Sequence, residues 1–175
     1  MIAHAALAAE IGRVARIQGR FVLRSGQVSS TYFDKCLFES DPRLLRSIAE
    51  AMSALVPSGT DVLCGLEMGG IPVVTVLSQV TGIPAAFVRK ARKTYGTEKV
   101  AEGPPLARRA IVLVEDVVSS GGALLDAVTV LRADGVEVGL AVCVIDRQTG
   151  GREALAHGGI ELRALFTLEQ IENAS

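Results

Sequence analysis

The chain has 175 residues, about the length of one domain, and a chain of this size buries roughly 70% of its unfolded surface in a single core. Hydrophobic residues make up 49% of it and aromatic residues only 4%, with no Trp, so we expect an aliphatic core and exclude disordered, collagenous and coiled-coil chains. Because 18 Lys and Arg balance 19 Asp and Glu, the net charge of -1 excludes a protein that coats nucleic acid or an anionic membrane.

Two helices and a mixed segment are predicted in the first third of the chain. Apolar residues at helical spacing predict a helix over residues 2–18, with Gly19 as its stop. Residues 20–38 mix aromatic, β-branched and small polar residues, which predicts short strands and a loop. Asp41 as N-cap and Pro42 at the first helical position predict a second helix that ends before Pro57.

Apolar runs then alternate with helical patterns. The runs at 62–64, 85–88, 111–114, 139–145 and 160–166 do not alternate with polar residues, which is typical of strands covered by helices on both faces. Helices are predicted over 71–80 and 121–134. The pattern predicts an α/β fold, a doubly wound and mostly parallel five-stranded sheet flanked by helices.

The cysteines and histidines predict no metal centre or disulfide framework. Cys36, Cys64 and Cys143 are odd in number and contain no C-x-x-C pair, and His4 and His157 stand apart without metal-ligand spacing. No apolar run has the length of a membrane span, and polar residues interrupt the first apolar stretch. We therefore expect a soluble, cytoplasmic protein with no nucleic-acid or membrane partner.

The segment 111–122 carries the strongest chemical signal. An apolar run leads to Glu115 and Asp116, and a small-residue loop with Ser119 and Ser120 then enters a helix. Backbone N–H groups, hydroxyls and the helix dipole converge there, which favours a phosphate site at the carboxyl edge of the sheet. The two carboxylates suit ribose hydroxyls or a hydrated Mg²⁺ held by substrate oxygens. The alternative is a helix start beside a solvated acidic pair.

A basic segment follows the second apolar run. Between positions 89 and 102, five Lys and Arg stand against two Glu, in a chain whose total charge is close to zero. Gly96, Gly103 and the pair Pro104–Pro105 favour a long loop over a helix. Such a segment is a local anion site or, alternatively, a solvated charged surface.

Together these motifs resemble the type I phosphoribosyltransferases, which hold 5-phosphoribosyl 1-pyrophosphate (PRPP). The segment 111–123 resembles their PRPP signature, and the pattern R-K-x-x-K-x-Y-G from Arg89 resembles the catalytic loop of orotate phosphoribosyltransferases. In that family the loop closes over the site of the neighbouring subunit, which implies a homodimer. A closed lid excludes water while pyrophosphate leaves.

Three further segments resemble the same family. Residues 21–26 and 29–34 resemble its N-terminal segment, and Asp146-Arg147-Gln148 resembles the segment whose arginine meets the orotate carboxylate. Residues 64–72 resemble its pyrophosphate loop, although many members carry a lysine where this chain has Gly69. The departure leaves more of the charge neutralisation to Arg24, Arg89, Lys90 and Lys93.

The resemblance implies a transfer of the 5-phosphoribosyl group from PRPP to orotate, with Mg²⁺ as cofactor held mainly through PRPP oxygens and not directly by side chains. It implies one phosphoribosyltransferase domain over 1–175, with an N-terminal helix and hood at about 1–40 and a PRPP-binding core at about 41–175. Two alternatives remain open: a transferase for another nucleobase such as a purine, and a PRPP-sensing regulator without activity. The implied catalytic residues are Lys93 and Asp116; the implied PRPP-binding residues are Arg24, Met68, Gly69, Arg89, Lys90, Lys93, Tyr95, Glu115, Asp116, Val117, Val118, Ser119, Ser120, Gly121, Gly122 and Ala123; the implied orotate-binding residues are Tyr32, Phe33, Ser119 and Arg147.

Overall fold

A helix and a hairpin open the structure, a computed structural model that describes residues 4–22, 26, 28–90 and 99–174. Helix α1 spans His4–Ala15, and strands β1 (Arg16–Val22) and β2 (Val28–Phe33) pair antiparallel. The helix predicted to reach residue 18 ends three residues earlier. Ile17 and Gln18 lie in β1 instead, opposite Tyr32 and Thr31, because strand pairing outweighs the helical spacing of the apolar residues.

Two capped helices follow the hairpin. Helix α2 spans Lys35–Ser40, and the Asp34 carboxylate accepts from the backbone N–H of Cys36 at 3.0 Å. Helix α3 spans Pro42–Met52 and passes into a 3₁₀ turn over Ser53–Leu55. The predicted cap is confirmed, because the Asp41 carboxylate accepts from the first backbone N–H groups of α3.

A six-stranded sheet forms the centre of the molecule. The strands are β3 (Val62–Leu66), β4 (Ala85–Val88), β5 (Ala101–Glu102), β6 (Ile111–Val118), β7 (Leu140–Asp146) and β8 (Glu161–Thr167), in the spatial order β5-β4-β3-β6-β7-β8. Five of them are parallel, as predicted. The two-residue strand β5 adds an antiparallel edge that the sequence pattern did not indicate.

Helices cover both faces of the sheet. They are α4 (Gly70–Thr81), α5 (Gly122–Ala133), α6 (Gly151–His157) and α7 (Leu168–Ala174). Neighbouring strand residues fall into two different apolar clusters: Leu63 and Val142 pack with α3 and α4, whereas Cys64 and Cys143 pack with α5. Side chains of a strand alternate between faces, so an uninterrupted apolar run fills two cores.

The loops that follow the parallel strands meet at one edge of the sheet. Residues 67–69 follow β3, residues 119–121 follow β6, and residues 147–150 follow β7. Parallel strands place their carboxyl ends side by side, and ligands of open α/β sheets bind at that edge. No helix of the described residues is long and apolar enough to span a membrane.

Candidate active site

The phosphate-binding segment predicted after β6 forms a turn into helix α5. Gly121 is the N-cap residue of α5 and has φ of 77°. A Cβ there would lie 3.1 Å from the carbonyl oxygen of Gly151, so both the backbone conformation and the space favour glycine. Glycine also has no side chain to cover the first N–H groups of the helix. A cavity of about 160 Å³ lies in front of this turn, lined by Glu115 and residues 117–124.

The two acidic residues lie inside β6 and not after its end. The strand continues to Val118 because its ladder with β7 runs past them, with Glu115 opposite Cys143 and Val118 opposite Asp146. This corrects the prediction that the strand ends at residue 114. Asp116 is fully buried and Glu115 is 9% exposed. Adjacent strand residues face opposite sides of a sheet, but at this strand end the two carboxyl groups still hydrogen-bond each other and form one acidic pair.

Burial decides the charge of most acids here. It raises the pKa of Glu115 to about 9, and the neighbouring Asp116 acts in the same direction. Burial, followed by Asp116, likewise raises the pKa of Glu39, on α2, to about 8. Burial also opposes ionisation of Asp116, but hydrogen bonds with Glu39, Glu115 and Lys35 outweigh it and hold its pKa below the usual value. At neutral pH Asp116 is therefore the ionised member of the three acids.

Lys35 is a residue of this cluster that sequence reasoning missed. Its ammonium donates a hydrogen bond to Asp116 Oδ2 and forms an ion pair with it. Burial alone lowers the pKa of Lys35, but the bond and the charge of Asp116 outweigh burial and raise it. The two residues are 81 positions apart in the chain, so no local motif joins them.

The loop after β3 passes close to the same carboxylate. Gly69 is buried, and a Cβ at this position would lie 1.8 Å from Asp116 Oδ2. Met68, beside it, is 70% exposed at the open edge. The Glu67 carboxylate accepts from the backbone N–H of Lys90 at 2.6 Å, which fixes the start of the basic segment beside this loop.

Arg89 and Lys90 lie next to α5 at the end of β4. They line a cavity of about 190 Å³ together with Glu67, Ala123 and Asp126. Lys90 is exposed, and Arg89 is half-buried with a buried Nε that has no hydrogen-bond acceptor among the described residues. The other implied cations, Arg24 and Lys93, and also Tyr95, lie outside the described residues.

The four residues implied for the base surround one cavity. Its volume is about 200 Å³, and its lining consists of Tyr32, Phe33, Lys35, Val117, Ser119, Ile145, Arg147 and Leu168. The exposed guanidinium-bearing residue Arg147 is anchored by its backbone N–H, which donates to the carbonyl of Val118 at 2.9 Å. The hairpin and the carboxyl ends of β6 and β7 thus meet at this cavity.

Asp146 holds the loop that presents Arg147. It is 1% exposed and accepts from the backbone N–H of Gln148 at 2.8 Å and from Arg152 Nε at 3.1 Å. Gln148 has φ of 56°, an uncommon value that this hydrogen bond supports. The Asp-Arg-Gln segment is therefore a fixed turn rather than a free loop.

A larger cavity, of about 630 Å³, lies at the opposite edge of the sheet. It is lined by residues at the amino ends of β6 and β7, among them Arg108, Arg109, Ile111 and Leu140. None of the described residues that are implied for PRPP or the base lines it. Size alone therefore does not identify the site, whereas the converging charges and helix start do.

Comparisons with known proteins cover almost the whole chain. Residues 38–158 match the family model of the phosphoribosyl transferase domain. The orotate phosphoribosyltransferase of Nocardioides sp. is 51% identical over 174 residues, which are 99% of this chain and 97% of that protein. Orotate phosphoribosyltransferase of Mycobacterium tuberculosis in complex with Fe(III) dicitrate has a TM-score of 0.87 at 30% identity, covering 96% of this chain and 98% of that one. The same protein in complex with PRPP has a TM-score of 0.82 at 28% identity, covering 97% and 98%.

Proposed function

The chain belongs to the orotate phosphoribosyltransferases of the phosphoribosyltransferase family, and we propose how its residues hold and join the two substrates. The enzyme transfers the 5-phosphoribosyl group from PRPP to orotate, giving orotidine 5'-phosphate and pyrophosphate in pyrimidine biosynthesis. The relatives support neither a transferase for another base nor a regulator without activity.

One observation supports the assignment of residues above all. A single edge of the sheet carries the start of α5, the acids Glu115 and Asp116, and the cavity that contains Arg147. PRPP and a flat carboxylated base are a pair of ligands with matching groups: a phosphate for the helix start, hydroxyls for the acids and a carboxylate for the guanidinium.

We assign the 5-phosphate of PRPP to residues 117–123 and its ribose hydroxyls to the acids. Asp116 accepts hydrogen bonds as a carboxylate, whereas protonated Glu115 also donates. Met68 and Gly69 lie beside Asp116 on the loop that follows β3, and we assign the pyrophosphate to their backbone and to Arg89 and Lys90. Lys93, Arg24 and Tyr95 complete this set by resemblance.

The reaction depends on position and charge. The bond from ribose C1 to the pyrophosphate oxygen breaks and the bond from orotate N1 to C1 forms. The departing pyrophosphate keeps the electron pair of the broken bond and takes up the N1 proton of orotate. Holding both reactants on preformed loops lowers the entropic part of the barrier, and the mechanism uses no covalent nucleophile. Mg²⁺, when bound, would neutralise charge on PRPP and would be held mainly through PRPP oxygens. In the described residues no three His, Cys, Asp or Glu side chains are arranged to hold a metal ion.

Orotate binding is tested by the carboxylate that Arg147 is assigned to recognise. We expect Arg147→Ala to raise the KM for orotate by about tenfold to 100-fold, because a bidentate charge-assisted contact is lost, and to change the KM for PRPP little. The assay follows the absorbance of orotate in the presence of PRPP and Mg²⁺. Arg46→Ala, which removes an exposed cation from α3, is the control. Unchanged orotate kinetics in Arg147→Ala would refute the assignment.

We also propose a cytoplasmic, Mg²⁺-dependent homodimer with a shared lid. Support comes from the loop sequence that begins at Arg89 and from three cysteines that form no disulfide. If Lys93 acts in the neighbouring subunit's site, mixing inactive Lys93→Ala and Asp116→Asn subunits restores about a quarter of the activity, because half the dimers then hold one intact site. Dimers that stay inactive after mixing would place Lys93 in its own subunit's site.

The Mg²⁺ requirement is tested by chelation. We expect turnover to be lost when EDTA is added and to return when Mg²⁺ is restored.

A further inference from the structure

Lys35 stands where three parts of the site meet. It is the first residue of α2, its side chain is 42% exposed, and it reaches the buried Asp116. It also lines the base cavity with Tyr32 and Arg147. Lys35 thus contacts Asp116, the acid assigned to the ribose hydroxyls, and is also exposed to the base cavity.

Lys35 also occupies the space beside the pyrophosphate loop. A Cβ at Gly69 would lie 2.8 Å from Lys35 Nζ, so the ammonium lies where a side chain from position 69 would begin. The loop itself supplies no cation, since its residues are Glu67, Met68 and Gly69. The positive charge at this point comes from α2.

The ammonium has donors left over after its bond to Asp116. A lysine carries three N–H groups, and the described residues provide one hydrogen-bond acceptor for it. Asp116 is also the carboxylate assigned to the ribose hydroxyls, which donate and thereby take over part of its hydrogen bonding. Once ribose is bound, a flexible ammonium can turn toward phosphate oxygens at the neighbouring loop.

We propose that Lys35 binds the pyrophosphate group of PRPP and supplies the cation that the loop at Gly69 lacks. In the free enzyme it neutralises Asp116; in the complex the ribose hydroxyls occupy Asp116 and the ammonium donates to the pyrophosphate. This inference rests on the proposed function for the identity of the ligand.

Binding measurements with three ligands test the proposal. Calorimetry on Lys35→Met, with Mg²⁺ present, is expected to show inorganic pyrophosphate and PRPP bound about tenfold to 100-fold more weakly, because one charge-assisted bond is lost. Ribose 5-phosphate, which lacks the pyrophosphate, is expected to change less than about twofold, and Lys35→Arg is expected to recover part of the loss. Arg46→Met, which removes an exposed cation, is the matched control.

Two outcomes would overturn the proposal. Equal weakening of ribose 5-phosphate and pyrophosphate would mean that Lys35 only positions Asp116, and unchanged or tighter pyrophosphate binding would mean that it does not touch the ligand. Lys35→Met leaves a buried charge unpaired, so the same comparison is repeated between Asp116→Asn and the double variant, in which no such charge remains. Pyrophosphate binding is measurable even if the wild-type chain fails to consume orotate, so the two proposals fail separately.

Discussion

Gly69 lies so close to Asp116 that the smallest side chain tests their contact. Gly69→Ala introduces a Cβ that would lie 1.8 Å from Asp116 Oδ2, so the carboxylate or the loop must move. We expect a loss of about 1–3 kcal/mol in the free energy of unfolding, as in overpacked cores, and a higher KM for PRPP.

The control for this change is Gly139→Ala, since a Cβ at Gly139 meets no atom within 4 Å. Urea unfolding and steady-state kinetics measure both variants. If Gly69→Ala resembles Gly139→Ala in PRPP kinetics, position 69 is not part of the PRPP site.

The raised pKa of Glu115 gives a pH dependence of stability with a definite sign. Between the ordinary glutamate pKa of 4.5 and the pKa of about 9 that Glu115 has in the fold, the folded chain binds a proton that the unfolded chain has released. The free energy of unfolding therefore falls as pH rises through this range, by at most about 1.4 kcal/mol per pH unit for this group.

Glu115→Gln keeps the shape of the protonated acid and cannot ionise. We expect urea unfolding between pH 5 and 9 to show a flatter curve for this variant than for the wild type, with the variant favoured at the alkaline end. Glu172→Gln, at an exposed position on α7, should follow the wild-type curve. Parallel curves for Glu115→Gln and the wild type would show that Glu115 is ionised in the fold.

Single residues were predictable where the motif is continuous in the chain. Glu115, Asp116 and the loop 117–123 stand together in the sequence, and the fold keeps them together. Lys35 was missed because its partner is 81 positions away, and nothing in the segment around it marks it as a site residue. Its role depends on where α2 packs, which is a tertiary property.

Helix α2 begins at the cap Asp34 and carries Lys35 into the site, so removal of the cap tests whether α2 contributes to binding. Asp34→Ala removes the hydrogen bond to the N–H of Cys36 and is expected to cost about 1 kcal/mol in the free energy of unfolding. Because α2 begins with Lys35, loosening its first turn should also raise the KM for PRPP.

Asp41→Ala is the matched control, since Asp41 caps α3 through N–H groups of Arg43 and Leu44. It removes the same kind of cap from a helix that contributes no residue to the site. We expect thermal melts to show a loss of stability in both variants and kinetics to show a PRPP defect in Asp34→Ala alone. Equal kinetics in the two would remove α2 from the binding site.

The predicted ends of helices and strands agree with the structure where a single sequence pattern, such as a cap or an apolar run, determines them. The cap at Asp41 and the apolar runs of the parallel strands were predicted, whereas β6 runs four residues further because its ladder with β7 includes the two acids. Helix α2 has six residues and β5 has two, which is too short for a hydrophobic period to be visible. Such elements form through their neighbours.

The reactivity of the three thiols tests how tightly the whole molecule is packed. Cys64 and Cys143 are fully buried, and burial raises the pKa of Cys64 to about 12 and that of Cys143 further. Cys36 is exposed, and burial together with nearby negative charges raises its pKa more modestly. Thiolates are the reactive form, so the three should differ sharply.

We expect Ellman's reagent to label one thiol in the native protein and all three in denaturant, with no change in melting temperature on adding dithiothreitol. Cys36→Ser is expected to abolish native labelling. Rapid labelling of two or three thiols without denaturant would contradict the packing of β3 and β7.

The base cavity draws its walls from distant parts of the chain. Tyr32 and Phe33 belong to the hairpin. Arg147 directly follows β7, and Leu168 directly follows β8 as the first residue of α7. The cavity in front of α5, by contrast, is lined only by residues from the segment 115–124. A change in how the hairpin packs against the ends of β7 and β8 should therefore alter the choice of acceptor base more than the hold on the phosphate.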